Sequence, residues 1–200
     1  MFENECVFHI NWEMIQLGTE EIFTQFPKLE TKRLILKEIK PKHAEELYNI
    51  YSDSEVMKFY DVEPLENLDQ SRYYLNRFAE GYRNKMSIRW GIELKESGII
   101  IGTCGFYNWA KKACRAEIGY ELTKKNWRQG IMTEALRAIV PFAFEKMGLM
   151  RIEAYVEPEN IGSIRLLNKI GFHEEGVLEE FAFYKGKNHR FSLFFLDKSE

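Results

Sequence analysis

Residues 117–135 read Glu117-Ile118-Gly119-Tyr120-Glu121-Leu122-Thr123-Lys124-Lys125-Asn126-Trp127-Arg128-Gln129-Gly130-Ile131-Met132-Thr133-Glu134-Ala135. A strand runs into a polar loop, and the loop runs into a helix with Gly130 at its first turn. The leading N–H groups of a helix have no partner within it, and the helix dipole is positive at that end. Such an end can hold a phosphate or pyrophosphate. Gly130 would let a ligand come close to the backbone. The same glycine also suits a tight strand-to-helix turn, and the stretch alone leaves both readings open. GxxxxGK[ST], GxGxxG and GxSxG are all missing from the chain. Their absence sets aside a Walker-type nucleotide site, a Rossmann dinucleotide site and a hydrolase nucleophile elbow.

Working outward, residues 114–122 complete a third strand after 87–94 and 99–109, an antiparallel meander. Upstream, residues 33–39 predict another strand. Pro41 opens a helix through Tyr51, and Asp69 or Ser71 caps a second helix through Tyr82. Downstream, the helix from Gly130 runs to about Met147 with Pro141 inside it and Gly148 closing it. Residues 151–156 form a short buried strand, and 161–170 a helix closed by Gly171. Two last strands, 172–183 and 189–196, flank a turn at 185–188. The order β αα βββ α β α ββ predicts a mixed α/β sheet. Residues 1–28 are expected to be an N-terminal extension with a short helix at 19–26, and 29–200 a single domain.

The chain has 200 residues, 45% hydrophobic and 30% charged, the balance of one soluble globular domain. Its net charge of −3 gives no basic excess for general nucleic-acid binding. The acidity is uneven, because residues 1–30 hold six Glu against one Lys. The remainder is slightly basic, which suits a phosphorylated ligand. Cys6, Cys104 and Cys114 are too few for a disulfide framework, and no His or Cys spacing predicts a metal site. The N-terminus has no signal-peptide pattern and no apolar run reaches membrane-span length, so the expected compartment is the cytoplasm. Aromatic residues are abundant: 15 Phe, 10 Tyr and 4 Trp. That bulk must line a core, a site or a partner surface.

Residues 127–135 resemble the acetyl-CoA loop of the GNAT acetyltransferases, and Glu117–Tyr120 resembles the strand before it. Asn160-Ile161-Gly162-Ser163-Ile164-Arg165-Leu166-Leu167-Asn168-Lys169-Ile170-Gly171-Phe172 resembles the family's second signature. Thr31–Leu36 resembles its first strand. The match spans about 29–196 and is nearest to the branch containing the ribosomal-protein N-acetyltransferases. Met132 departs from the family's final Gly or Ala, and Trp127 from its older Gln or Arg. The resemblance implies a mostly antiparallel central sheet flanked by helices, with a splayed central strand pair that takes the pantetheine arm of acetyl-CoA. Backbone N–H groups of Gln129, Gly130, Ile131, Met132 and Thr133 would face the pyrophosphate, with Arg128 adding charge. Leu122 would lie beside the thioester. Asn160 would contact the pantetheine and Ser163 the sulfur, although both residues also suit the start of a capped helix. No metal is implied.

The implied reaction is direct attack of an amine on the acetyl thioester in a ternary complex. An α-amine, with pKa about 7.7–8.0, is roughly a quarter to a third neutral at pH 7.4, whereas a Lys amine is roughly 0.1% neutral. Glu117 is the expected base, with Glu121 on the same strand face in reserve. Ser163 is the expected proton donor to the leaving thiolate. The expected acceptor is a primary amine, such as the N-terminus of a ribosomal protein. A small amine, polyamine or aminoglycoside is the alternative, as is a non-catalytic CoA-binding module. Neither nucleic acid nor membrane is an expected partner, and a homodimer is left open. Tyr51, Phe59, Tyr60, Tyr73, Tyr74, Phe78, Tyr82, Phe181, Phe183, Tyr184 and Phe191 fall in segments that would surround the acceptor.

Overall fold

The computed structural model describes residues 22–199. Eight strands form one sheet: β1 (Leu29–Glu30), β2 (Leu34–Glu38), β3 (Ile88–Leu94), β4 (Ile100–Ala110), β5 (Arg115–Leu122), β6 (Arg151–Val156), β7 (His173–Tyr184) and β8 (Lys187–Asp197). Their spatial order is β1-β2-β3-β4-β5-β6-β8-β7. Every neighbouring pair is antiparallel except β5 and β6, which run parallel. This is the mixed α/β architecture expected from the sequence.

Among the described residues, four helices cover the two faces of the sheet: α1 (Ala44–Tyr51), α2 (Leu68–Arg83), α3 (Ile131–Glu145) and α4 (Ile161–Ile170). Two clusters of buried side chains separate them. Ala135, Leu136, Ile139 and Leu167 from α3 and α4 join Leu36, Trp90, Phe106, Ile118 and Ile152 of the sheet. Leu47, Ile50, Tyr51 and Leu75 from α1 and α2 form the other cluster with Ile39, Met57 and Ile100. Burial on both faces fits the mostly apolar first part of β4, Ile100 to Phe106, whereas Arg89 and Glu93 interrupt β3.

The structure moves several predicted boundaries. Pro41–His43 forms a single 3-10 turn before α1. Helix α2 starts earlier than Asp69 or Ser71. Asn67 is its cap, accepting the Asp69 and Gln70 N–H groups at 3.1 Å each. Ser71 is buried instead, and its hydroxyl donates to the Ala44 carbonyl at 2.6 Å, tying α2 to α1. The last hairpin turns at Lys185-Gly186 alone, both with positive φ, a shorter turn than 185–188. Helix α3 runs through Pro141 and leaves at Gly148, where the Leu149 N–H returns to the Ala143 carbonyl.

The described part of the expected extension packs on the domain. Ile22 is buried, Phe23 and Phe26 stack near Tyr82, and the Trp90 indole donates to the Pro27 carbonyl at 2.7 Å. Residues 22–25 form a turn and Phe26 an irregular segment instead of the expected helix, ended before Pro27, and residues 19–21 of that expected 19–26 helix lie outside the described residues.

Candidate active site

The parallel pair β5 and β6 shares only three register positions, Arg115↔Arg151, Ala116↔Ile152 and Glu117↔Glu153. Beyond them each strand stays paired on its outer side, β5 with β4 to Leu122↔Gly102 and β6 with β8 to Val156↔Ser192. The two strands therefore open into a wedge with unpaired backbone along both inner edges. Its β5 wall is partly occupied by side chains. The Tyr60 hydroxyl donates to the Tyr120 carbonyl at 2.9 Å, and the Trp127 indole to the Leu122 carbonyl at 2.7 Å. A strand residue directs its N–H and C=O to the same side, so the Tyr120 and Leu122 N–H groups also face the wedge.

At the end of β5 the chain enters α3 through a turn with two left-handed residues, Arg128 (φ 61°) and Gly130 (φ 72°). Gly130 is the N-cap of α3, and among the described residues no side chain caps that helix. Its first N–H groups are left for an anion. A Cβ at Gly130 would meet only an Arg33 nitrogen, at 3.8 Å, so the conformation rather than crowding requires glycine. Met132 is buried in the core, which turns its side chain away from the loop's exposed backbone. Ile131 is buried alongside it. Thr133 and Gly130 line a surface cleft of about 480 Å³ together with Arg33, Arg137 and Lys169. Arg128 and Gln129 are exposed, and the Gln129 side-chain amide donates to the Lys125 carbonyl at 2.9 Å.

This loop is braced from the far end of the sheet. The Glu134 carboxylate accepts from the Thr31 hydroxyl (2.5 Å), the Arg33 N–H (2.8 Å) and the Arg33 Nε (2.6 Å). A second Arg33 nitrogen donates to the Gln129 carbonyl at 3.0 Å. Burial disfavours a charged Glu134, but these donors outweigh it and hold its pKa below the ordinary carboxylate range. Sequence reasoning missed this brace, because the residues are about a hundred positions apart.

The second motif sits on the other wall. Asn160 caps α4, accepting the Ser163 N–H at 3.1 Å. The Ser163 hydroxyl lies 2.6 Å from the Tyr120 hydroxyl, so α4 touches β5 across the wedge. Burial pushes the Tyr120 phenol above its usual pKa, leaving it protonated at neutral pH. Tyr120 stood in the decisive stretch without a role. Its parity with Ile118 and Leu122 was the available signal.

The two carboxylates of β5 fare differently. Glu117 is the last β5 residue still paired with β6, and it accepts from the Asn108 amide at 2.9 Å. Glu121 is buried, ion-paired with Arg89 and hydrogen-bonded by the Thr103 hydroxyl. That pairing removes Glu121 as a reserve base. The aromatic residues also divide. Tyr82 packs with Phe23 and Phe26, remote from the wedge, and Tyr51 stacks on Tyr74. Phe181 stacks on Tyr155 of β6, while Tyr73 and Phe183 are exposed.

Residues 33–173 match the family model described as an acetyltransferase (GNAT) domain. The chain belongs to the GNAT family. It is 42% identical over 161 residues to the uncharacterized N-acetyltransferase YoaA of Bacillus subtilis, covering 80% of this chain and 91% of that one. It is 25% identical over 169 residues to the [ribosomal protein uS5]-alanine N-acetyltransferase of Escherichia coli, covering 80% and 85%. The crystal structure of a GNAT-family acetyltransferase from Bacillus anthracis superposes with a TM-score of 0.76 at 24% identity, covering 86% of this chain and 98% of that one. That likeness extends to the fold. As a GNAT protein the chain is an N-acetyltransferase, and its parallel pair opens where the family resemblance requires. This sets aside the non-catalytic module weighed from the sequence.

Proposed function

We propose that this N-acetyltransferase moves the acetyl group of acetyl-CoA to a primary amine, the N-terminal α-amine of a protein being the favoured acceptor. One observation carries the reading. The wedge between β5 and β6 ends at an uncapped helix N-terminus, so a groove for an extended arm meets a site for its phosphates. The leading N–H groups of residues 129–133 would receive the pyrophosphate, with Arg128 beside them. The Leu122 and Tyr120 N–H groups would bind carbonyls of the arm and polarise the thioester oxygen. Asn160 would orient the pantetheine, and Ser163, hydrogen-bonded to Tyr120, would protonate the leaving sulfur.

The α-amine is favoured because it is substantially neutral near pH 7.4, which asks little of the protein. The similarity to an enzyme named for alanine N-acetylation of uS5 supports the same class, and a ribosomal protein is its natural instance. Were Glu117, the base expected from the sequence, to take the amine proton, Glu117→Gln would lower the rate near pH 7 and lower it less near pH 9. An unchanged rate at both pH values removes it. The acceptor is tested by thiol release from acetyl-CoA with N-terminal peptides, polyamines and aminoglycosides in parallel. Turnover confined to the small amines would overturn the α-amine assignment.

A further inference from the structure

The wedge is closed at its open end by a ring of hydrogen bonds. On the β5 side, Ser163 joins the Tyr120 hydroxyl, and Tyr60 joins the Tyr120 carbonyl. The loop between α1 and α2 that carries Tyr60 also receives the hairpin tip, where Lys185 donates to the Met57 carbonyl at 3.0 Å. On the β6 side, the Tyr184 hydroxyl donates to Glu157 Oε1 at 2.5 Å. The Glu157 carbonyl accepts the Asn160 N–H at 2.8 Å, and Asn160 returns to Ser163. Glu157 thus stands on the rim that holds the start of the second motif. Glu117 lies outside this ring.

Glu157 is 8% exposed and His189 6% exposed. His189 Nδ1 lies 3.0 Å from Glu157 Oε2, and Nε2 lies 3.1 Å from the Tyr184 carbonyl. A carbonyl can only accept, so Nε2 carries a proton. The Nδ1 contact keeps the Oε2 side of the carboxylate occupied. Oε1 accepts from the Tyr184 hydroxyl, and the Tyr184 ring is stacked on the imidazole at 3.5 Å. The phenol oxygen donates its proton to Glu157 and keeps its lone pairs for another donor. The charged and titratable groups around Glu157 are Tyr184, Lys185 and His189 from the hairpin, Asp61 from the loop, and the exposed Arg190–Glu159 pair.

We propose that Tyr184 and Glu157, held by His189, take the proton of the acceptor amine during acetyl transfer. The inference rests on the acetyl-transfer reading of the same site. The amine lone pair forms the C–N bond, and the C–S bond breaks with its electron pair going to sulfur. The nitrogen becomes strongly acidic once its lone pair is committed, so a carboxylate is base enough. Its proton passes to the Tyr184 oxygen as the Tyr184 proton passes to Glu157 Oε1, and solvent later removes it. The products are the N-acetyl amide and the thiol, the sulfur taking its proton through Ser163, which solvent reprotonates, so the proton lost by the amine balances the one gained by sulfur.

The test compares the wild type, Glu157→Gln and Tyr184→Phe in acetyl-CoA turnover on an N-terminal peptide across neutral to alkaline pH, with thermal stabilisation by acetyl-CoA alongside. Glu157→Gln should lower kcat about 100-fold near pH 7 and much less at alkaline pH, and Tyr184→Phe about 10-fold with the same trend. Stabilisation by acetyl-CoA should stay as in the wild type. A wild-type kcat in Glu157→Gln overturns the proposal, as does a pH-independent loss that comes with lost stabilisation. If Glu157→Gln does not fold, an unchanged kcat in Tyr184→Phe overturns it alone. A wild type that binds acetyl-CoA yet releases no thiol with any amine overturns this proposal together with the acetyl-transfer reading.

Discussion

Two helix N-termini face the same wedge, and they are built in opposite ways. Helix α3 begins at a left-handed glycine with no side-chain cap. Helix α4 begins at Asn160, whose side chain already accepts the Ser163 N–H. An uncapped N-terminus leaves its donors and its positive dipole end to a ligand. A capped one has spent part of that capacity on its own fold and offers side chains instead. The first therefore suits phosphates, and the second suits the placing of Asn160 and Ser163 near the reacting end. The difference shows why one motif depends on backbone conformation and the other on residue chemistry.

The comparison breaks most directly at Gly130. Any L-residue there adopts a left-handed conformation at a cost of about 1–2 kcal/mol, and a β-branched one suffers most. Gly130→Val should weaken acetyl-CoA binding about 30-fold by calorimetry. Gly130→Asn should cost clearly less, because Asn tolerates that conformation. Equal affinities for the two variants would show that the α3 terminus does not depend on its left-handed cap.

The brace behind that terminus gives a second, smaller effect. Glu134→Gln removes a charged partner of Arg33 and should weaken acetyl-CoA binding about fivefold while lowering stability by about 1 kcal/mol, since Arg33 is partly exposed. The folded-state pKa of Glu134 is depressed, so its contribution is complete above the unfolded carboxylate pKa of about 4.3. It is lost as pH falls through the lower folded value. In urea unfolding the gap between wild type and Glu134→Gln should be full at about pH 6 and close on acidification. A gap that widened in acid would contradict the assigned brace.

At the α4 terminus the expected changes are of another kind. Asn160→Ala should cost about 1 kcal/mol of stability, a fall in Tm of about 2–4 °C, because a cap is lost. The smallest effect is expected for Ser163→Ala, a few-fold fall in kcat with acetyl-CoA affinity retained. A thiolate of conjugate pKa about 8.5 leaves with little help. If Ser163→Ala instead lowered acetyl-CoA affinity as much as Gly130→Val, the division of labour between the two termini would fail.

Much of this was legible in the chain. The alternation of residues 117–122, the glycine at 130 and the Asn160–Ser163 spacing are local patterns, and local backbone physics fixes what they form. The meander, the hairpin and the four helices followed from the same periodicities. Boundaries slipped where a tertiary contact took over a residue. Ser71 looked like a cap, but its hydroxyl is used to join α2 to α1, and Asn67 caps instead. Glu121 looked like a reserve base, but Arg89 of β3 claims it.

By itself the sequence determined the mixed sheet, the strand-to-helix turn at Gly130 and the motif residues, because each depends on neighbours within about one helical turn or one strand. Only the tertiary structure decided that β5 and β6 part after Glu117, that Arg33 braces Glu134, and that Glu157, Tyr184 and His189 meet at the rim. Those features join segments up to about a hundred residues apart, and no periodicity encodes such a meeting. They arise when separate strands and loops are packed on one core, where buried polar groups must find partners among whatever side chains the topology brings near.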